Sequence, residues 1–204
     1  MRFPVRACEE LATHAPGLRL YNDVAFGGYL IWRLYPERKV FIDGRNELYT
    51  KLLPRLGRIH TGEAPYSDWR SLIQENGIEG AIVKYQPTKK GVLYPPATPG
   101  AEPVRGYRAW SAFLFLPAEW ALVYFDDTAL VFMKRGGQGE PWIRSAEYRD
   151  LNQEDREYLV ERAREDPALA SRLRAEARRR LSESPRCRRV VEFLADLDAQ
   201  AATR

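Results

Sequence analysis

The spacing of hydrophobic and polar positions switches between helical and strand periods along the first two thirds of the chain. CEELATHA at 8–15 reads as a short helix ended by Pro16-Gly17. Leu18 and Leu20 lead into Tyr21-Asn22-Asp23, a strand running into a loop. Gly27-Gly28 opens the apolar run 29–34, predicted as a helix that Pro36 closes. KVFID at 39–43 has the β-branched and aromatic content of a compact strand. Gly44 and Arg45 then turn the chain into a helix from about Asn46, with Leu48, Leu52, Leu53, Leu56 and Ile59 as its apolar face. Pro54 should kink that helix or split it.

Further on, Ser67 is placed to cap a helix over 68–75, and Asn76-Gly77 to stop it. A strand is predicted at 80–85. Residues 86–106, with Pro87, Pro95, Pro96, Pro99 and Pro103, read as a loop of unusual length. The stretch 107–125 is rich in aromatic residues and reads as core, with a membrane-interface face as the sharper alternative. Residues 120–125 and 129–134 predict a β-hairpin around Asp126-Asp127-Thr128. After the glycines at 136–139 the pattern breaks, and Asn152 is placed to cap the first of several helices. Leu169, Leu173, Ala177 and Leu181 make one apolar stripe; Val190, Val191, Leu194 and Leu197 make another. The fold class that follows is a three-layer α/β domain over 1–140, with a parallel or mixed sheet and a closing hairpin. A linker at 141–151 and an all-helical tail at 152–204, similar to tetratricopeptide units, complete it.

Composition narrows the chemistry more than it names it. The 204 residues are 45% hydrophobic and 29% charged, with a mean hydropathy of −0.49, as in a globular protein. Two cysteines, Cys8 and Cys187, exclude a disulfide-dense scaffold and a cysteine-built zinc site. No run reaches the ~18 apolar residues of a membrane span, and the first ten residues lack the apolar core of a signal peptide. Net charge is +4, spread along the chain except at 178–189, so no nucleic-acid partner is expected. That arginine cluster reads as a solvated helix face, with lipid headgroups as the alternative. There is no nucleophile elbow, dinucleotide fingerprint or phosphate loop, and His14 and His60 read as surface or capping residues.

The candidate chemistry gathers around residues 22–45. Asp43 is predicted at the carboxyl end of a strand, where ligands of α/β sheets bind, with Gly44 turning into a helix N-terminus and Arg45 offering a planar fork to an anion. The plainer alternative has Asp43 capping the helix and Arg45 pairing with a nearby acid. Asn22 and Asp23 end the preceding strand, which would set them beside Asp43. Two acids there could hold a divalent cation, though loop and cap roles are the commoner use. Gly27 and Gly28 read as a tight helix entry or a close ligand approach. Tyr29 and Trp32 read as core at helical spacing, with stacking on a sugar as the alternative.

The run YNDVAFGGYLIW at 21–32, Pro36, RKVFIDGR at 38–45 and Tyr49 resembles the extracytoplasmic C-terminal domain of bacterial polytopic membrane proteins of the GT-C glycosyltransferase-like class. The resemblance covers roughly residues 4–135, including WALVYFDD at 120–127, and helical repeats often follow in that family. The multi-span membrane half is absent from this sequence. The resemblance thus implies an accessory or acceptor-binding domain, not catalytic by itself. Its partners would be the membrane half of the parent protein and a lipid-linked sugar or protein acceptor, at the periplasmic face of the inner membrane. No cofactor is implied beyond a possible divalent cation. Ligand contacts would fall to Asp43, Gly44 and Arg45, with Asn22, Asp23, Gly27, Gly28 and Tyr29 nearby. Two alternatives remain: a free-standing metal-assisted hydrolase or nuclease using Asp23 and Asp43, and a structural interaction domain working through the helical tail.

Overall fold

The computed structural model describes residues 3–86, 89–94 and 104–201. In chain order the elements are α1 (Val5–His14), β1 (Leu20–Asn22), α2 (Val24–Leu34), α3 (Leu52–Thr61), α4 (Tyr66–Glu75), β2 (Gly80–Lys84), β3 (Lys89–Tyr94), β4 (Val104–Ala109), the single turn α5 (Ser111–Leu114), β5 (Trp120–Phe125), β6 (Ala129–Lys134), α6 (Glu140–Ala146), α7 (Arg156–Glu165), α8 (Pro167–Glu183) and α9 (Arg188–Ala201). They fall into two units, Met1–Tyr85 with Leu114–Glu147, and Gln86–Phe113 with Tyr148–Arg204.

The first unit is an α/β sandwich around a mixed sheet ordered β1-β2-β6-β5, with β1 parallel to β2 and the other pairs antiparallel. Strand alternation sends its apolar side chains to both faces. Ile82, Ala121, Val131 and Met133 pack against Ala7 and Leu11 of α1, Phe26 and Leu30 of α2, and Trp142 of α6. On the other face Trp69 of α4 meets Tyr21 edge-on at 5.0 Å and Phe115 at 5.6 Å, and Phe115 stacks on Phe132 at 4.2 Å. Burying each such side chain is worth roughly 1.5–3 kcal/mol. The three-layer reading therefore holds, and most of the aromatic stretch 107–125 is core: Trp110, Phe115, Trp120, Tyr124 and Phe125 are buried, while Tyr107 is exposed.

Several local expectations change. Residues 39–43 form no strand; they run without regular structure, with a bend at Phe41, and do not join the sheet. The helix expected from Asn46 is split, as Pro54 suggested, into a 3-10 turn at Asn46–Tyr49 and α3. Pro54 sits in the first turn of α3, where its missing N–H costs no helical bond. Helix α4 begins at Tyr66 with Pro65 before it, so Ser67 does not cap it. Residues 141–146, expected as linker, continue α6, whose Trp142 and Ile143 are buried. Gly77 does stop α4, at a φ of +57° that a side chain would strain.

The second unit pairs β3 with β4 and packs helices α7, α8 and α9. The expected loop over 86–106 thus contains paired strands; its prolines 87, 95, 96, 99 and 103 lie outside the described residues. Asn152 caps the 3-10 turn Gln153–Asp155 that precedes α7 rather than α7 itself, accepting from the Glu154 amide at 3.1 Å. In α8 the buried face is Ala170, Leu173, Ala177 and Arg180, and in α9 Phe193 is buried where Val191 had been expected. The arginine cluster is partly spent within the unit. Arg179 lies over the Tyr148 ring at 4.0 Å, Arg180 pairs with Glu183 at 3.1 Å, and Arg188 pairs with Glu192 at 3.1 Å.

Two neighbouring carboxylates lock the base of the hairpin to the helices. Glu154 accepts from the amides of Gln86 at 2.6 Å and Ser111 at 3.0 Å. Asp155, buried, accepts from the Ala109 amide at 2.7 Å and Arg108 Nε at 2.6 Å. Burial pushes the Asp155 carboxyl up to about 6, against the pull of these donors, and burial raises Glu154 as well. The folded chain therefore holds the Asp155 proton more tightly than the unfolded chain. Its contribution to stability is full below pH 4 and is lost as pH rises through 6, a change of roughly 3 kcal/mol. Urea unfolding between pH 4 and 7 should show Asp155→Asn with a slope more positive than the parent by this amount. Parallel curves for the two proteins would refute it.

Candidate functional site

The residues singled out at 22–45 come together in the first unit, and nearly all are bound to one another. Asp23 caps α2: its Oδ1 accepts from the Ala25 amide at 2.9 Å. Asn22, the last residue of β1, is buried and points its amide at the irregular segment that follows α2. Its Oδ1 accepts from the Phe41 amide at 2.8 Å and its Nδ2 donates to the Ile42 carbonyl at 2.7 Å. This side chain supplies what a neighbouring strand's backbone would supply, which is why 39–43 lie beside β1 without pairing to it.

Gly27 lets the same segment cross α2 at contact distance. A Cβ built there would lie 2.3 Å from the Ile42 carbonyl oxygen and 2.5 Å from Asp43 Cα. The glycine is a packing requirement between helix and backbone. Gly28, one position on, faces open space. Arg38 anchors the start of the segment: its buried Nη2 donates to the carbonyls of Ala15 and Leu11 at the C-terminal end of α1, capping that helix.

Asp43 is only 2% exposed, and both its oxygens are occupied. Oδ1 accepts from the Arg45 amide at 2.8 Å and Arg45 Nε at 2.9 Å; Oδ2 accepts from Arg45 Nη2 at 2.5 Å and Tyr49 Oη at 3.0 Å. Arg45's hydrogen bonds hold the carboxyl well below the usual carboxylate range, and Asp43 in turn raises Arg45. Burial and the bond to Asp43 raise the Tyr49 phenol. Because Asp43's folded value is depressed, this clasp stabilises the fold above pH 4 and weakens as pH falls below it. Arg45 itself is 60% exposed at its side chain, and its Nη1 makes no hydrogen bond among the described residues.

The arrangement can fix a loop and present a guanidinium edge to an anion. Asp23 and Asp43 are each bound by donors of their own. Among the described residues no three His, Cys, Asp or Glu side chains gather as metal ligands. His60 makes a 3.0 Å hydrogen bond to the buried Tyr21 hydroxyl, and His14 stacks on Trp142 at 5.2 Å. The Asp126 carboxylate closes the hairpin turn through the amides of Thr128 at 2.6 Å and Ala129 at 2.9 Å.

Two features escaped the sequence reading. Tyr49 is the second residue that binds Asp43, with nothing in its spacing to show it. Trp32, read as core from its helical spacing, is 76% exposed. It leans on Tyr29 at 5.6 Å, and Tyr29 stacks on Phe3 at 5.0 Å. No protein-family model matches the chain, and no curated protein or solved structure matches it either.

Proposed function

We propose that the chain is an accessory, acceptor-binding domain of a glycosyltransferase-like membrane protein, extracytoplasmic and not catalytic by itself. One observation carries this reading: the acidic and amide groups of the motif are consumed in holding its loop, whereas Gly28, Tyr29 and Arg45 keep an outward aspect. A carboxylate with four donors is poorly placed to act as a base or nucleophile. A guanidinium with one nitrogen outside the clasp suits a sugar phosphate or an acceptor carboxylate, and the partly exposed Tyr29 offers a ring that a sugar can stack on. The partners in this reading are the membrane half of the parent protein and a lipid-linked sugar or protein acceptor.

The test is a titration of the isotope-labelled chain with sugar phosphates and short lipid phosphates, followed by nuclear magnetic resonance. Amide shifts should group at 28–32 and 44–46, with millimolar affinity or tighter. A response that is flat across the panel would sink the reading, as would shifts located only in the second unit.

A further inference from the structure

We infer that the outer face of α2, with the start of α1, is a docking surface for an anionic lipid bilayer. Helix α2, VAFGGYLIWRL, carries one charge in eleven residues, Arg33. Phe26, Gly27 and Leu30 face the core of its unit. The opposite side is also apolar but uncovered: Trp32 is 76% exposed, Tyr35 after the helix end is 66% exposed, and Phe3 beside Tyr29 is 52% exposed. A helix apolar on all sides is ordinarily buried on all sides. At ~1.5 Å per residue α2 is far too short to cross a bilayer, so a surface contact is the remaining way to cover it with lipid. No helix among the described residues is long and apolar enough to span one.

The side-chain types suit the headgroup region of a bilayer. Tryptophan and tyrosine favour headgroup depth, where the ring is apolar and its polar tip stays wet. Exposed Arg33 follows Trp32 directly and acts electrostatically on the Tyr29 phenol, and exposed Lys39 lies four residues after Tyr35, against the exposed acids Glu9 and Glu37, in a chain of net charge +4. Arg33 makes no ion pair among the described residues, which leaves it for an anionic headgroup. This inference goes beyond acceptor binding and stands whether or not a sugar ligand is found.

The protein carries its own reporter, because Trp69, Trp110, Trp120 and Trp142 are buried and Trp32 is the exposed one of five. The full chain is mixed with vesicles of phosphatidylcholine alone, with 30% (about one lipid in three) phosphatidylglycerol added, and with brominated acyl chains. Binding to anionic vesicles, a blue shift and bromine quenching are expected. Trp32→Ala with Tyr35→Ala should weaken partitioning by at least about tenfold while the near-ultraviolet circular dichroism stays native. Failure of sedimentation with every vesicle at millimolar lipid would overturn the inference. So would vesicle binding that the double variant leaves unchanged, or a Trp32 shift that depends on protein concentration without lipid, which would mark the face as a contact between copies. The water-soluble sugar phosphates of the titration are read at 44–46, where the lipid surface has no residue, and vesicle binding is read at Trp32, so the two proposals fail separately.

Discussion

Gly27→Ala is expected to destabilise the protein by about 3 kcal/mol, one of the largest losses any single methyl can cause. The added carbon would lie 2.3 Å from a backbone oxygen and 2.5 Å from a backbone Cα, and neither can rotate away. The helix or the 41–43 segment must move, and the second is held by Asn22 and by the Asp43 clasp. Gly28→Ala is the control, since its Cβ meets nothing within 4 Å. In that helix interior alanine should stabilise by roughly 0.5–1 kcal/mol. Urea unfolding of both variants checks the contrast. Similar effects at the two positions would remove Gly27 from the packing argument and return both glycines to a role in helix entry alone.

Asn22→Ala should cost about 3 kcal/mol by leaving the Phe41 amide and the Ile42 carbonyl without partners in a buried place. Asn22 is itself buried, so water cannot simply replace its amide. The loss should be local in its signature. Amide exchange should accelerate at Phe41 and Ile42, while Ile82, in the middle of the sheet, stays protected. Asn22→Asp should fare no better, because it keeps the acceptor, loses the donor to Ile42 and buries a charge. Unchanged protection at 41–42 would mean that Gly27 and Arg38 hold the segment without the amide.

Much of the architecture was legible because it follows local rules. The hairpin 120–134 has two apolar runs around an Asp-Asp-Thr turn, and the structure forms the strands at those bounds. Asp23 caps a helix and Asn152 a 3-10 turn through their own side chains, and Pro54 marks the place where the expected helix divides. The α/β class followed from strand and helix periods alternating up to residue 85. The helical tail followed from apolar stripes, although their phase shifted by one position where Ala170 and Arg180 turned inward.

The site was legible as a set of residues but not as an arrangement. Spacing placed Asn22 near the 41–43 segment and paired Arg45 with an acid. It also assigned 39–43 to the sheet, because KVFID has every local mark of a strand. Whether such a segment pairs depends on a free edge, and the edge at β1 is occupied by an asparagine side chain from the strand itself. Exposure is the same kind of question. Tyr29 and Trp32 lie at core spacing, and only the packing of α2 on its sheet shows which of its two apolar faces is covered. Sequence thus determined most of the elements, the Asp23 cap and the residues of the motif, since these depend on neighbours within a few positions. Tertiary structure alone decided that Asp43 is clasped by Arg45 and Tyr49, that Gly27 serves a backbone crossing, and that Trp32 faces outward, since each depends on a contact between segments that the chain brings together only by folding.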